Sequence, residues 1–137
     1  MTLRLDIAPA AETARDYAED AVRNMLKVYG VRLDYSVDSL QHVDRVLAEW
    51  RDGGAPLEAV NKSLYAFGSY AGEVLREQEP GRWIAPPEAQ HGNLDTLFLF
   101  VRLFDGREWP AIARAVDTFL NPEATTLHAS LSALLAS

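Results

Sequence analysis

The chain has 137 residues, 48% of them hydrophobic and 24% charged, with no cysteine and a formal net charge of −7. That size and composition fit one folded domain over 1–137 with its own core, and exclude a disordered chain. The negative balance disfavours nucleic acid and anionic membrane and suits a basic protein partner, while the missing thiols exclude disulfides, thiolate zinc sites and cysteine nucleophiles.

The opening MTLRLDIAPA has no extended apolar run, so no secretory signal is expected and the cytoplasm is the default compartment. Leu3, Leu5 and Ile7 alternate with Arg4 and Asp6, a period of two that suits a short strand ended by Pro9. From Ala11 the period becomes helical. Ala14, Tyr17, Ala18, Ala21, Val22, Met25 and Tyr29 form one stripe, Gly30 is its stop, and Arg15, Glu19, Arg23 and Lys27 read as the solvated face.

A second helix follows. Ser36 is placed to cap it, Asp38 suits the positive end of its dipole, and Tyr35 is placed to staple onto Leu40. Leu40, Val43, Val46, Leu47 and Trp50 are its inward stripe, and Gly53 and Gly54 end it. Pro56 suits the first turn of the next helix, and so short a link predicts two antiparallel neighbours.

The stretch 57–83 is expected to organise the rest. Leu57, Val60, Leu64, Phe67, Ala71 and Val74 recur at spacings of three and four, the stripe of a long core helix. Gly68 and Gly72 lie within it, and a glycine in a helix interior costs ~1 kcal/mol against alanine, so a backbone or ligand is expected to come close there.

Pro80 and Gly81 break that helix, 82–85 suits one strand, and Pro86 and Pro87 end it. The polar EAQHGN of 88–93 reads as an exposed loop leading to an antiparallel second strand over 96–104. That strand is apolar at nearly every position, which predicts cover on both faces, with Arg102 reaching solvent or a carboxylate. The run 97–104 is also far short of the ~20 apolar residues that cross a bilayer as a helix. Asp105 and Gly106 make a turn, and Pro110 opens a helix striped by Ile112, Val116, Phe119 and Leu120. A last helix is capped by Asn121, holds Pro122 and Glu123 in its first turn, and buries Leu127, Leu131, Leu134 and Leu135. The expected fold class is α+β and mostly helical, about five helices packed on a small antiparallel sheet of two or three strands.

The residues LDYS at 33–36, then Ser39, Leu40 and Asp44, GSYAGEVLR at 68–76 and GRW at 81–83 together carry a resemblance. They resemble a family of small bacterial proteins of unknown function in which a helix ending in G-x-Y-x-GE-V leads into a G-x-W strand. The resemblance spans roughly the middle half of the chain by the same helix and strand periods. It implies an intracellular α+β domain with a small sheet, and supplies no reaction, cofactor or catalytic residue. From Trp109 onward it holds only in general form.

Several groups suggest chemistry. Glu73 and Arg76, three apart, can meet on one helix face, with Tyr70 three before Glu73. Such a pair is commonly a solvated surface pair of little energetic weight, and beside Gly68 and Gly72 the alternative is a polar pocket. Asp38 and His42 share a helix face at a spacing of four, but two ligands make no metal site, and none is expected. His91, in a loop, is the residue best placed for acid–base work, although no nucleophile motif or phosphate cradle accompanies it. His128 reads as a partly exposed structural residue. Trp50, Trp83 and Trp109 fall at element edges, where a ring covers a junction and its N–H finds an acceptor. Exposed side by side, Trp83 and Trp109 would instead mark a partner surface.

With no cofactor motif, the expectation is a non-catalytic protein-interaction domain, one version being an immunity or antitoxin-like protein steered onto a basic toxin. The alternative is a small-molecule binder or enzyme with a pocket beside the central helix, using Tyr70, Glu73, Arg76 and His91. A third reading is a structural subunit of a larger assembly.

Overall fold

The computed structural model describes residues 13–85 and 98–137. The chain forms α1 (Ala14–Tyr29), a 3-10 turn (Val37–Ser39) leading into α2 (Leu40–Asp52), and α3 (Leu57–Gln78). Then come β1 (Gly81–Ile84), β2 (Phe100–Leu103), β3 (Glu108–Trp109), α4 (Ala111–Leu120) and α5 (Leu127–Ala136). The fold is thus α+β and mostly helical, with the three strands in one antiparallel sheet of order β1-β2-β3. The strand expected over 3–7 and the loop holding His91 lie outside the described residues. No described helix is long and apolar enough to cross a membrane.

α3 is the axis of the molecule. The spacing of its apolar residues predicts one inward stripe, yet every residue from 64 to 75 is buried, because α1 and α4 both pack along it and β2 reaches it as well. Ala66, Gly68, Ser69, Ala71 and Gly72 keep the helix thin between its large rings, so neighbours come close. α1 contributes Ala14, Tyr17, Ala18, Ala21 and Met25 to this contact. It stops where Gly30 turns left-handed at φ 66°, its N–H bonded to the Leu26 carbonyl at 3.1 Å.

Ser36 is the cap that the sequence predicts: its Oγ accepts the Ser39 N–H at 3.2 Å and opens the turn into α2. Tyr35, left-handed at φ 63°, packs its ring on that of Tyr70, the centroids 4.9 Å apart and the planes tilted by 39°. One expectation nearby is corrected: α2 is not chiefly an antiparallel partner of α3. It packs mainly on α4 and α5 and touches α3 through Trp50 on Phe67, whose centroids are 5.7 Å apart. The cause is α4, which is buried from Ala111 to Ala113 and again at Ala115, Val116 and Phe119, and packs on both α2 and α3.

In the sheet, Trp83 pairs with Val101 and Val101 with Trp109, a row buried against the helices. The opposite face carries Arg82, Arg102 and Glu108. Cover on both faces of β2 is therefore not found. The pleat turns Arg102 outward to pair with Glu108 at 2.7 Å, and Phe104 beyond the strand is 76% exposed. β3 has no counterpart in the sequence reading, which runs the turn at Gly106 straight into a helix. α5 begins later than expected. Thr126 caps it through Ala129 N–H at 3.2 Å, while Asn121 serves a separate turn by accepting the Glu123 N–H at 3.0 Å. Leu127 and Leu131 are buried, Leu134 and Leu135 only partly, and Leu120 is exposed.

Candidate functional site

Of the residues that suggest chemistry in the sequence, Gly72, Glu73, Arg76 and Trp83 meet where the C-terminal half of α3 faces α1 and β1. Gly72 holds the ring of Trp83: a Cβ there would overlap the ring's far edge. Gly68 holds α4, since a Cβ there would lie 2.5 Å from the Ile112 Cα. The close approach expected at both glycines is real, and what approaches is the chain itself.

Glu73 is 2% exposed, so its pairing with Arg76 is no surface ion pair. Arg76 Nη1 and the Trp83 indole N–H both donate to Oε2, at 2.6 and 3.0 Å, and Arg15 Nη1 donates to Oε1 at 3.3 Å. A carboxylate withdrawn from water is tolerated only when charge and hydrogen bonds meet it, and α1, α3 and β1 each send a donor. Arg76 also donates Nε to the Gly81 carbonyl at 3.2 Å, pinning the start of β1 to α3. Arg15, expected on the solvated face of α1, bonds Glu19 as well and lies 4.5 Å over the Tyr35 ring.

Tyr70 points away from Glu73. Its hydroxyl accepts the Tyr35 N–H at 2.8 Å and lies 2.6 Å from Ser39 Oγ. Because Ser39 gives its own hydrogen to the Ser36 carbonyl at 2.6 Å, Tyr70 is the donor of that pair. The bond from Tyr35 N–H helps hold the left-handed Tyr35 in place. Burial pushes the Tyr70 hydroxyl pKa up, and desolvation raises that of Tyr35 to about 12.

Asp38 and His42 do not converge. Asp38 meets His128 Nε2 at 3.0 Å and His42 Nδ1 faces Arg45 at 3.2 Å; among the described residues no group of three potential ligands could hold a metal. The role of Asp44 is one that local sequence rules do not reveal. Its carboxylate accepts the Leu127 and His128 N–H groups at 2.8 and 3.0 Å, so α2 caps α5 across 83 and 84 residues of chain. All three tryptophan N–H groups find acceptors, as expected. Trp50 donates to Tyr29 Oη at 3.0 Å, Trp83 to Glu73, and Trp109 to Ser130 Oγ at 2.9 Å. Trp83 and Trp109 are buried, so they form no exposed pair. His91 lies outside the described residues.

Two clefts open elsewhere, along α1 and α3 around Ser63 and Ala66, and neither is walled by Gly72, Glu73 or Arg76. No protein-family model, curated protein or solved structure matches the chain.

Proposed function

We propose that the chain is a non-catalytic protein-interaction domain whose acidic surface receives a basic partner. One observation carries this reading: Gly68, Tyr70, Gly72, Glu73, Arg76 and Trp83 are spent on contacts between the chain's own elements. A buried carboxylate held by two guanidinium groups and an indole has structural work already. The motif residues behind the family resemblance are the same ones, which supports a shared fold rather than a shared reaction. The net charge of −7 supplies long-range attraction for a basic protein, and Asp16, Glu49, Glu58 and Glu123 are exposed carboxylates with no ion pair among the described residues. An immunity or antitoxin-like role is the concrete version of this proposal.

Capture from the source cells tests it. The tagged chain is expected to retain a stoichiometric basic protein at low salt and to release it as salt rises. A Glu49→Gln, Glu58→Gln variant is expected to associate several-fold more slowly, because exposed charges act mainly on the association rate. Recovery of no stoichiometric partner at either low or moderate salt contradicts the proposal.

A further inference from the structure

We infer that the cleft between the C-terminal end of α1, Trp50 of α2 and the first half of α3 is a binding site for a small amphipathic molecule with one aromatic ring. The cleft has a volume of about 160 Å³, and Met25, Val28, Tyr29, Trp50 and Phe67 make its apolar wall. An apolar cavity of roughly 150 Å³ is large enough for benzene, so a single ring fits. The aromatic wall is fixed before any ligand arrives. Trp50 gives its N–H to Tyr29 Oη at 3.0 Å and packs on Phe67, with ring centroids 5.7 Å apart. A surface held by its own hydrogen bond and ring packing does not have to be ordered on binding.

Polar groups converge on the same space. Asn24, Ser63 and Ala66 wall the apolar cleft and also a second one of about 310 Å³, which continues toward Tyr17, Asp20 and Lys62. The side chains of Asn24 and Ser63 hydrogen-bond to no described residue, and the Tyr29 hydroxyl, which accepts from Trp50, gives its own hydrogen to none. A mostly apolar pocket with a few convergent polar groups is the usual form of a small-molecule site. At the polar end Asp20 is already paired with Arg23, and the polar side chains shared by the two clefts, Asn24 and Ser63, are neutral, so a neutral hydrogen-bonding head is favoured over a net charge. The ligand class is therefore a ring bearing a short arm that ends in an amide or hydroxyl.

This site is independent of the acidic partner surface and is tested on the whole chain with phenylacetamide as probe. Heteronuclear NMR titration is expected to show saturable shifts of the Trp50 indole N–H and the Asn24 side-chain amide, with a dissociation constant of about 1 mM or tighter. Propionamide, the head without the ring, is expected to bind at least tenfold more weakly. Phenylacetate and phenethylamine, which carry net charge, are each expected to bind more weakly than the amide. Val28→Asp, at a position 66% exposed and so harmless to folding, and Ser63→Phe, which fills the shared wall, are each expected to weaken binding tenfold or more. Phe104→Asp, an exposed position outside the cleft, is expected to leave it unchanged. Shifts that rise linearly without saturating, or saturable binding indifferent to both cleft substitutions, overturn the site.

Discussion

A helix interior prefers alanine to glycine by about 1 kcal/mol, so Gly72 persists only if something gained outweighs that preference. The ring of Trp83 fills the space a Cβ would need, and its N–H reaches the neighbouring Glu73. Two opposing effects then act on Gly72→Ala, and overpacking at about 1–3 kcal/mol wins over propensity. Urea unfolding is expected to show Gly72→Ala destabilised in the natural background and stabilised by about 1 kcal/mol when Trp83→Leu has removed the ring, since only propensity then remains. Stabilisation in both backgrounds contradicts this contact. At this scale the sequence is half legible. The glycines' spacing and the Glu73–Arg76 pair follow from helix geometry, but Arg15 lies 58 residues before Glu73, and local spacing rules see only neighbours on one helix.

Between elements, side chains do work that periodicity does not encode. Asp44 sits on α2 at a position that reads as ordinary polar surface, yet it holds the first amides of α5. Burial raises the pKa of its carboxyl against the lowering effect of those two amides, a cost the docking of α5 must outweigh. Asp44→Ala is expected to cost about 1–2 kcal/mol, as loss of a cap does, and to speed amide exchange in α5 more than in α3. Equal exchange in α5 of the variant and the natural chain would show that the helix is held by Leu127 and Leu131 alone. Helix existence was legible from stripes and from Gly30, Ser36 and Pro56. The start of α5 and strand β3 were not: Asn121 and Thr126 are both competent caps, and a two-residue strand shows no period.

Across the whole molecule, α3 runs between α1, α4 and the sheet, with most of its hydroxyls and its one central charge buried. Burial raises the pKa of the Tyr35, Tyr65 and Tyr70 hydroxyls, that of Tyr35 to about 12. The unfolded chain loses these protons near pH ~10, so their contribution to stability is complete below that pH and is lost as pH rises through the folded value. Urea midpoints are expected to hold to about pH 10 and then to fall, less steeply for Tyr35→Phe; an unchanged slope in that variant would remove Tyr35 from the account. The general architecture was legible because a long stripe with internal glycines can only be a packed core helix. Burial on every side was not, because it depends on where α4 returns. Native-state hydrogen exchange resolved by residue tests that arrangement most directly. The amides of residues 64–75 are predicted to exchange only through global unfolding, with the highest protection in the chain; exchange there by local opening, while α1 or α5 stays protected, would contradict it.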